Sequence, residues 1–198
     1  ALHLEQAALC LDRGCHVLVE KPLFWKEGLS RAQLATACKA VFDGADGRLG
    51  VNYPTACFTE PFLASCGSPA KLKTFALRYQ TRGVYRDDAI AVDLLPHGFS
   101  LFLALGGGGE VSALDVTSTT HSWTAAMMVG PTQCQFDFVQ DPDAAASVLS
   151  FEVDGQHASR VQTRRGNGFD VSLDVPGVAD TPRSMVNPMT SSIRGAFE

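Results

Sequence analysis

The sequence predicts α/β then α+β: the tail end of a parallel, helix-connected sheet, followed by an open, mostly antiparallel sheet with helices on one face. Three observations predict it. The first fifty or so residues alternate helix-period and strand-period apolar runs in the order α–β–α–β. From about residue 110 the chain becomes a series of short alternating stretches separated by turn residues. Within that series Asp154-Gly155 and Asn167-Gly168 are strong two-residue hairpin signals.

The first helix is expected over 3–13, where Leu4, Ala7, Ala8 and Leu11 recur at helical spacing and Gly14 stands as a C′ glycine. The run His16-Val17-Leu18-Val19 reads as a buried parallel strand. A second helix is expected over 27–43, with Leu34, Cys38 and Val41 on one stripe and Gly44, Asp46 and Gly47 as breakers. A second strand follows over 48–53. Two parallel strands do not make an independent sheet, so its other strands are expected before Ala1. The spacing then predicts a short helix over 56–65, a strand over 71–81, and a helix over 93–105 ended by the glycines at 106–109. Further strands are expected over 110–120, 123–129, 133–140, 146–153, 158–165 and 169–175. A last helix opens at Asn187-Pro188-Met189 and reads as cut short at Glu198. The domain expectation is therefore 1–50 for the C-terminal remnant of the first domain and 51–198 for the second.

Composition bounds the function classes. Of 198 residues, 45% are hydrophobic and 19% charged, a balance that excludes a disordered tail. The net charge of −5, with no basic run, argues against nucleic acid or an anionic membrane surface as partner. No apolar stretch approaches the roughly 18 residues of a membrane span, and no leader pattern is visible in the first twenty. The six cysteines (Cys10, Cys15, Cys38, Cys57, Cys66 and Cys134) form no Cys-x-x-Cys pair. They read as free thiols of a cytoplasmic protein. No two of the five histidines show a metal-ligand spacing, so no metal site is expected.

Two constellations can carry chemistry. Glu20-Lys21-Pro22 directly follows the first strand, and ligands of open α/β sheets bind beyond the carboxyl ends of their strands. A lysine there can donate a hydrogen bond to a carbonyl or hydroxyl, or move a proton. The bland alternative is a solvated loop with a turn proline. The second is Asp93-Leu94-Leu95-Pro96-His97. With Asp93 as N-cap, Pro96 falls in the first turn, where its missing N–H costs nothing. Asp93 and His97 then share a face four residues apart, a candidate general base with its carboxylate. The bland alternative is a capping aspartate and a surface histidine. Phe24 and Trp25 are aromatic residues able to pack on a planar ring or in a core. The glycine run follows a helix and reads as a loop rather than a phosphate cradle.

Together these residues resemble a known family. His3, Ala7-Ala8-Leu9, Gly14 and His16-Val17-Leu18-Val19-Glu20-Lys21-Pro22-Leu23 resemble the end of the nucleotide-binding domain of the glucose–fructose oxidoreductase / inositol dehydrogenase / rhizopine-catabolism (Gfo/Idh/MocA) family. Gly50-Val51-Asn52-Tyr53 resembles the strand opening that family's second domain, and the stretch from Asp93 to Gly107 its Asp-x-Gly-x-His helix. Cys15 stands where a lysine is common, and Leu95 where the family has glycine. The likeness covers the ordered motifs of residues 3–107.

The resemblance implies a fragment of an NAD(P)-dependent oxidoreductase lacking most of its Rossmann domain. Hydride would pass between NAD or NADP and a sugar, polyol or similar hydroxy or carbonyl substrate. It implies Lys21, Asp93 and His97 as catalytic residues and Glu20, Lys21 and Pro22 at the cofactor. It also implies a homodimer or tetramer formed through the open sheet, and a fragment inactive by itself. The competing expectation is a non-catalytic small-molecule-binding or oligomerisation module of the same fold, motivated by the altered residues 88–95. The alternation at 124–129 and 146–153 further suggests a sheet face that wants a partner.

Overall fold

A computed structural model describes residues 3–22, 28–188 and 190, and the chain divides into two compact units, Ala1–Pro54 with Met189–Glu198, and Thr55–Pro188. In the first unit, helix α1 (His3–Asp12) leads into strand β1 (Val17–Glu20), and helix α2 (Arg31–Ala45) into strand β2 (Leu49–Asn52). The strands pair in parallel, Val17 with Leu49 through Glu20 with Asn52. Ala7 of α1 and Val19 of β1 are buried together, with Val17, Leu49 and Val51 packed against them. Helix α2 starts later than its apolar stripe suggests. Ser30 caps it, and Ser30 and Gln33 bond each other's backbone in a capping box. Gly44 is absorbed into the helix, and the chain turns at Asp46 and Gly47, both at positive φ. Phe24, Trp25 and most of the expected last helix lie outside the described residues.

A 3₁₀ turn (Pro54–Phe58) runs into helix α3 (Thr59–Cys66), strand β3 (Thr74–Thr81) and helix α4 (Ala89–Ala104). Six strands follow: β4 (Val111–Ser118), β5 (Ser122–Val129), β6 (Thr132–Gln140), β7 (Val148–Val153), β8 (Gln156–Arg165) and β9 (Gly168–Asp174). A short strand the sequence did not signal, β10 (Arg183–Met185), closes the order. Among the described residues they form one open eight-stranded sheet in the order β10-β9-β8-β7-β3-β6-β5-β4. It is antiparallel except at β3 and β6, which run parallel from Thr74–Gln133 to Thr81–Gln140. Asp154 and Gly155 both take positive φ in the β7–β8 hairpin, as a type I′ turn requires. The β8–β9 turn falls one residue earlier than expected. Arg165 pairs with Gly168, so Gly166 and Asn167 are the turn residues.

The core lies on one side of this sheet. Phe75 and Leu77 of β3, Cys134, Phe136 and Phe138 of β6, and Leu149 and Phe151 of β7 are buried there with Ile90, Leu94, Leu101 and Phe102 of α4. In the 124–129 and 146–153 alternations Ala125, Met127, Val129, Leu149, Phe151 and Val153 are buried on this covered side, whereas Ala126 and Val148 are exposed. The other side carries Gln135, Asp137, Arg78, Ser150 and Glu152 around a shallow hollow of about 190 Å³, with Arg78 and Asp137 paired at 3.7 Å.

Helix α4 begins one turn before the expected start. Asp88 occupies the N-cap position without a side-chain cap bond, and Ile90, fully buried, anchors the extra turn. Asp93 is therefore inside the helix, not its cap, and Pro96 is interior too, removing the N–H that would bond Val92. The helix lies close on the sheet because residue 98 is glycine. A Cβ at Gly98 would stand 2.5 Å from Cε1 of the Phe136 ring, itself buried and unable to yield. The glycine run has a packing role of the same kind. A Cβ at Gly109 would meet the Gly130 backbone at 2.6 Å, so the loop after α4 and the β5–β6 turn touch backbone to backbone. Gly98→Ala is expected to lower stability by about 1–3 kcal/mol through overpacking, seen as a lower denaturant midpoint at unchanged slope.

Candidate functional site

Lys21 stands at the carboxyl end of β1, in the first unit. Because β1 and β2 are parallel and in register, Glu20 and Asn52 end the two strands side by side, and the Asn52 amide donates to the Glu20 carboxylate. Asn52 is buried, whereas Glu20 is exposed and Lys21 and Pro22 are half-buried beyond it. The Lys21–Pro22 peptide bond is cis. This edge combines a cationic donor, a carboxylate acceptor and a buried amide. That set fits the hydroxyls and carboxamide of a nicotinamide nucleotide at the carboxyl end of a parallel strand pair.

Asp93 and His97 stand in the second unit, one turn apart on α4, and the sheet determines their surroundings. His97 is a core-facing residue rather than a surface one, 9% exposed. Its ring meets the Tyr79 ring of β3 edge-on at 5.5 Å between centroids. Its backbone carbonyl, in the stretch where Pro96 interrupts the helical bonding, accepts from the Thr55 hydroxyl at 2.7 Å and the Ser100 hydroxyl at 3.0 Å. Asp93 is half-buried, and its Oδ2 accepts from Nε2 of Gln140, the last residue of β6, at 2.5 Å. The Arg160 guanidinium of β8 lies over the other part of this cluster, 5.6 Å from the Tyr79 ring centroid. One of its terminal nitrogens donates to the Ser147 hydroxyl at 2.9 Å.

Each expected catalytic residue thus has a defined setting: Lys21 at a strand end, Asp93 and His97 together on one helix face. Sequence reasoning missed Gln140, Tyr79, Arg160 and Thr55. The signal for two of them was present. Thr132, Cys134, Phe136, Phe138 and Gln140 occupy the buried phase of β6, and Gln140 is a polar side chain at an apolar position. Arg160 likewise stands in the phase of buried Ala158 on β8.

Among the described residues no group of three His, Cys, Asp or Glu side chains stands close enough to hold a metal ion. No helix among them is long and apolar enough to cross a membrane. Burial pushes the Cys134 thiol up to about 11, and desolvation also raises Cys38 and Cys66 above the usual thiol value. The folded state favours the protonated Cys134 thiol, so this group costs stability once pH rises above its ordinary 9.0, increasingly so up to about 11. In mildly alkaline buffer a thiol reagent is expected to label exposed Cys10 and Cys15 and leave Cys134 unmodified until the protein unfolds, as mass spectrometry of the labelled peptides would show.

No family model matches the chain, and no curated protein matches it. Solved structures do. The chain is similar to UDP-N-acetylglucosamine 3-dehydrogenase GnnA from Acidithiobacillus ferrooxidans, with a TM-score of 0.65 and 13% identity over 98% of this chain and 64% of that one. It is similar to GenD2 of gentamicin A biosynthesis, solved in complex with NAD, with a TM-score of 0.64 and 15% identity over 99% of this chain and 64% of that one. A Gfo/Idh/MocA family oxidoreductase from Vibrio cholerae superposes with a TM-score of 0.59 and 14% identity over 98% of this chain and 66% of its own. The chain spans about three fifths of the length of such structures.

Proposed function

The chain has the fold of Gfo/Idh/MocA-type oxidoreductases, its open mixed sheet matching their C-terminal domain, and we propose from this premise that it is part of such an enzyme. The reaction is hydride transfer between NAD or NADP and a sugar, polyol or similar hydroxy or carbonyl compound. In this reading residues 1–50 close the nucleotide-binding domain and 51–198 form the substrate domain. The observation that carries the reading is the buried His97 one helical turn from Asp93, its ring edge-on against Tyr79.

The residues divide the work by their chemistry. The nicotinamide, when bound, supplies the hydride acceptor or donor. An imidazole nitrogen of His97 takes the proton of the substrate hydroxyl on oxidation and returns it on reduction. Asp93, held by Gln140, accepts a hydrogen bond from substrate or from the imidazolium that forms. The Lys21 ammonium donates to the reacting oxygen and stabilises the negative charge that develops there. Glu20 and Pro22 shape the edge on the cofactor side. Self-association through the uncovered side of the large sheet belongs to the same reading; light scattering of a monomer well above micromolar concentration would count against it.

One observation favours the alternative of a non-catalytic binding or assembly module. Residues 89–92 are helical, so the lead-in to Asp93 is a full turn of α4. Turnover decides between the two. In the intact protein, Lys21→Ala and His97→Gln are each expected to lower kcat about 10²–10⁴-fold with an unchanged circular dichroism spectrum. Near-normal turnover in both variants would remove the catalytic roles. An intact wild-type dimer that reduces no nicotinamide with any polyol or sugar would favour the module.

A further inference from the structure

Gln140 is the one fully buried side chain with an amide in the described part of the second unit. Its two ends are not interchangeable. The backbone N–H of Tyr85, a donor, lies 2.7 Å from one amide atom, which must therefore be the oxygen Oε1. That leaves Nε2 to donate to Asp93 Oδ2. The loop backbone also closes directly on this amide. A Cβ at Gly83 would lie 2.2 Å from Oε1 and 2.4 Å from Cδ of Gln140, so any side chain there would push the amide aside. Gly83 has no positive φ, so this is a question of space alone. The main chain of Gln140 is fixed independently. Its N–H donates to the His121 carbonyl at 2.9 Å, and the residue pairs with Thr81 at the end of β3. One side chain at the end of β6 thus joins the 82–88 loop, with its exposed Val84 and Tyr85, to the Asp93 carboxylate on α4.

We propose that Gln140 is a positioning residue, whose buried carboxamide orients the Asp93 carboxylate for the substrate and locks the 82–88 loop to it. This rests on the reading of Asp93 as a group that meets substrate. An amide suits the task because it donates to Asp93 and accepts from Tyr85 at every pH. A leucine of similar length does neither. A carboxyl group does both while protonated, but once ionised it faces Asp93 as a like charge at hydrogen-bond distance.

The test follows the carbon-13 chemical shift of the Asp93 carboxyl at one fixed pH in the intact protein, its signal assigned by its loss in Asp93→Asn, alongside kcat/KM. In Gln140→Leu the signal is expected to shift, since the Nε2–H donor to this carboxylate is lost. Gly83→Ala, which displaces the amide from outside, is expected to shift the same signal. Gln140→Glu, once ionised a like charge at hydrogen-bond distance, is expected to lower kcat/KM about tenfold to a hundredfold against the wild type at the same pH. Gln140→Glu and Gly83→Ala read the same coupling if Gln140→Leu does not fold. An Asp93 signal unmoved in the folded variants would overturn the proposal. So would a moved signal with wild-type kcat/KM in Gln140→Glu, provided Asp93→Asn is impaired. Wild-type turnover in Asp93→Asn would instead overturn the role of Asp93 itself, and the carboxyl signal would still report whether Gln140 holds that carboxylate.

Discussion

Everything at the candidate site of the second unit depends on how closely α4 approaches the sheet. The contact of Gly98 with the Phe136 ring brings the helix onto β3 and β6 at a spacing no side chain at position 98 would permit. At that spacing His97 reaches the Tyr79 ring and Asp93 the end of β6. Pro96 removes the N–H that would bond the Val92 carbonyl, and the next carbonyl along from Pro96, that of His97, also accepts from the hydroxyls of Thr55 and Ser100. The Thr55 bond ties this turn of α4 to the chain before α3, for about 1 kcal/mol.

The buried polar residues fall where the chemistry is proposed. Asn52, Thr55, His97, Thr132 and Gln140 are the buried polar side chains among the described residues. Thr132 ties a strand to Leu72 and has a structural role. In the first unit Asn52 bonds Glu20. In the second, Thr55 bonds the His97 carbonyl and Gln140 bonds Asp93. Burying a polar group costs free energy unless it is satisfied, and these bonds offset that cost.

Much of this was legible in the sequence. Periodicity marked α1 and the strands β5 to β7, because one-sided burial imposes a period of two or of 3.6; β1, β4, β8 and β9 were legible as apolar or β-like runs between turn residues, β4 being exposed along its whole length. Asp154-Gly155 fixed its hairpin because both residues tolerate positive φ. Asp93 and His97 share a face whichever turn the helix starts on. The start itself was not legible. Asp93 resembles an N-cap locally, and only the burial of Ile90 in the assembled core extends the helix back to Ala89. The parallel β3–β6 pairing was also hidden, since it joins strands more than fifty residues apart with no turn to signal it. Gln140 was visible as a polar residue in an apolar phase, but its partners come from the loop before α4 and from α4, and neither contact has a local trace.

Direct hydride transfer is the central claim, and isotope transfer tests it most directly. The intact protein would be incubated with NAD or NADP and a panel of carbon-deuterated hexoses, sugar nucleotides and inositols, and the nicotinamide examined by proton NMR at C4. The account predicts that one substrate delivers its deuterium to C4 without exchange with solvent. Nicotinamide that stays oxidised with every member of the panel, or is reduced with hydrogen drawn from water, would contradict it.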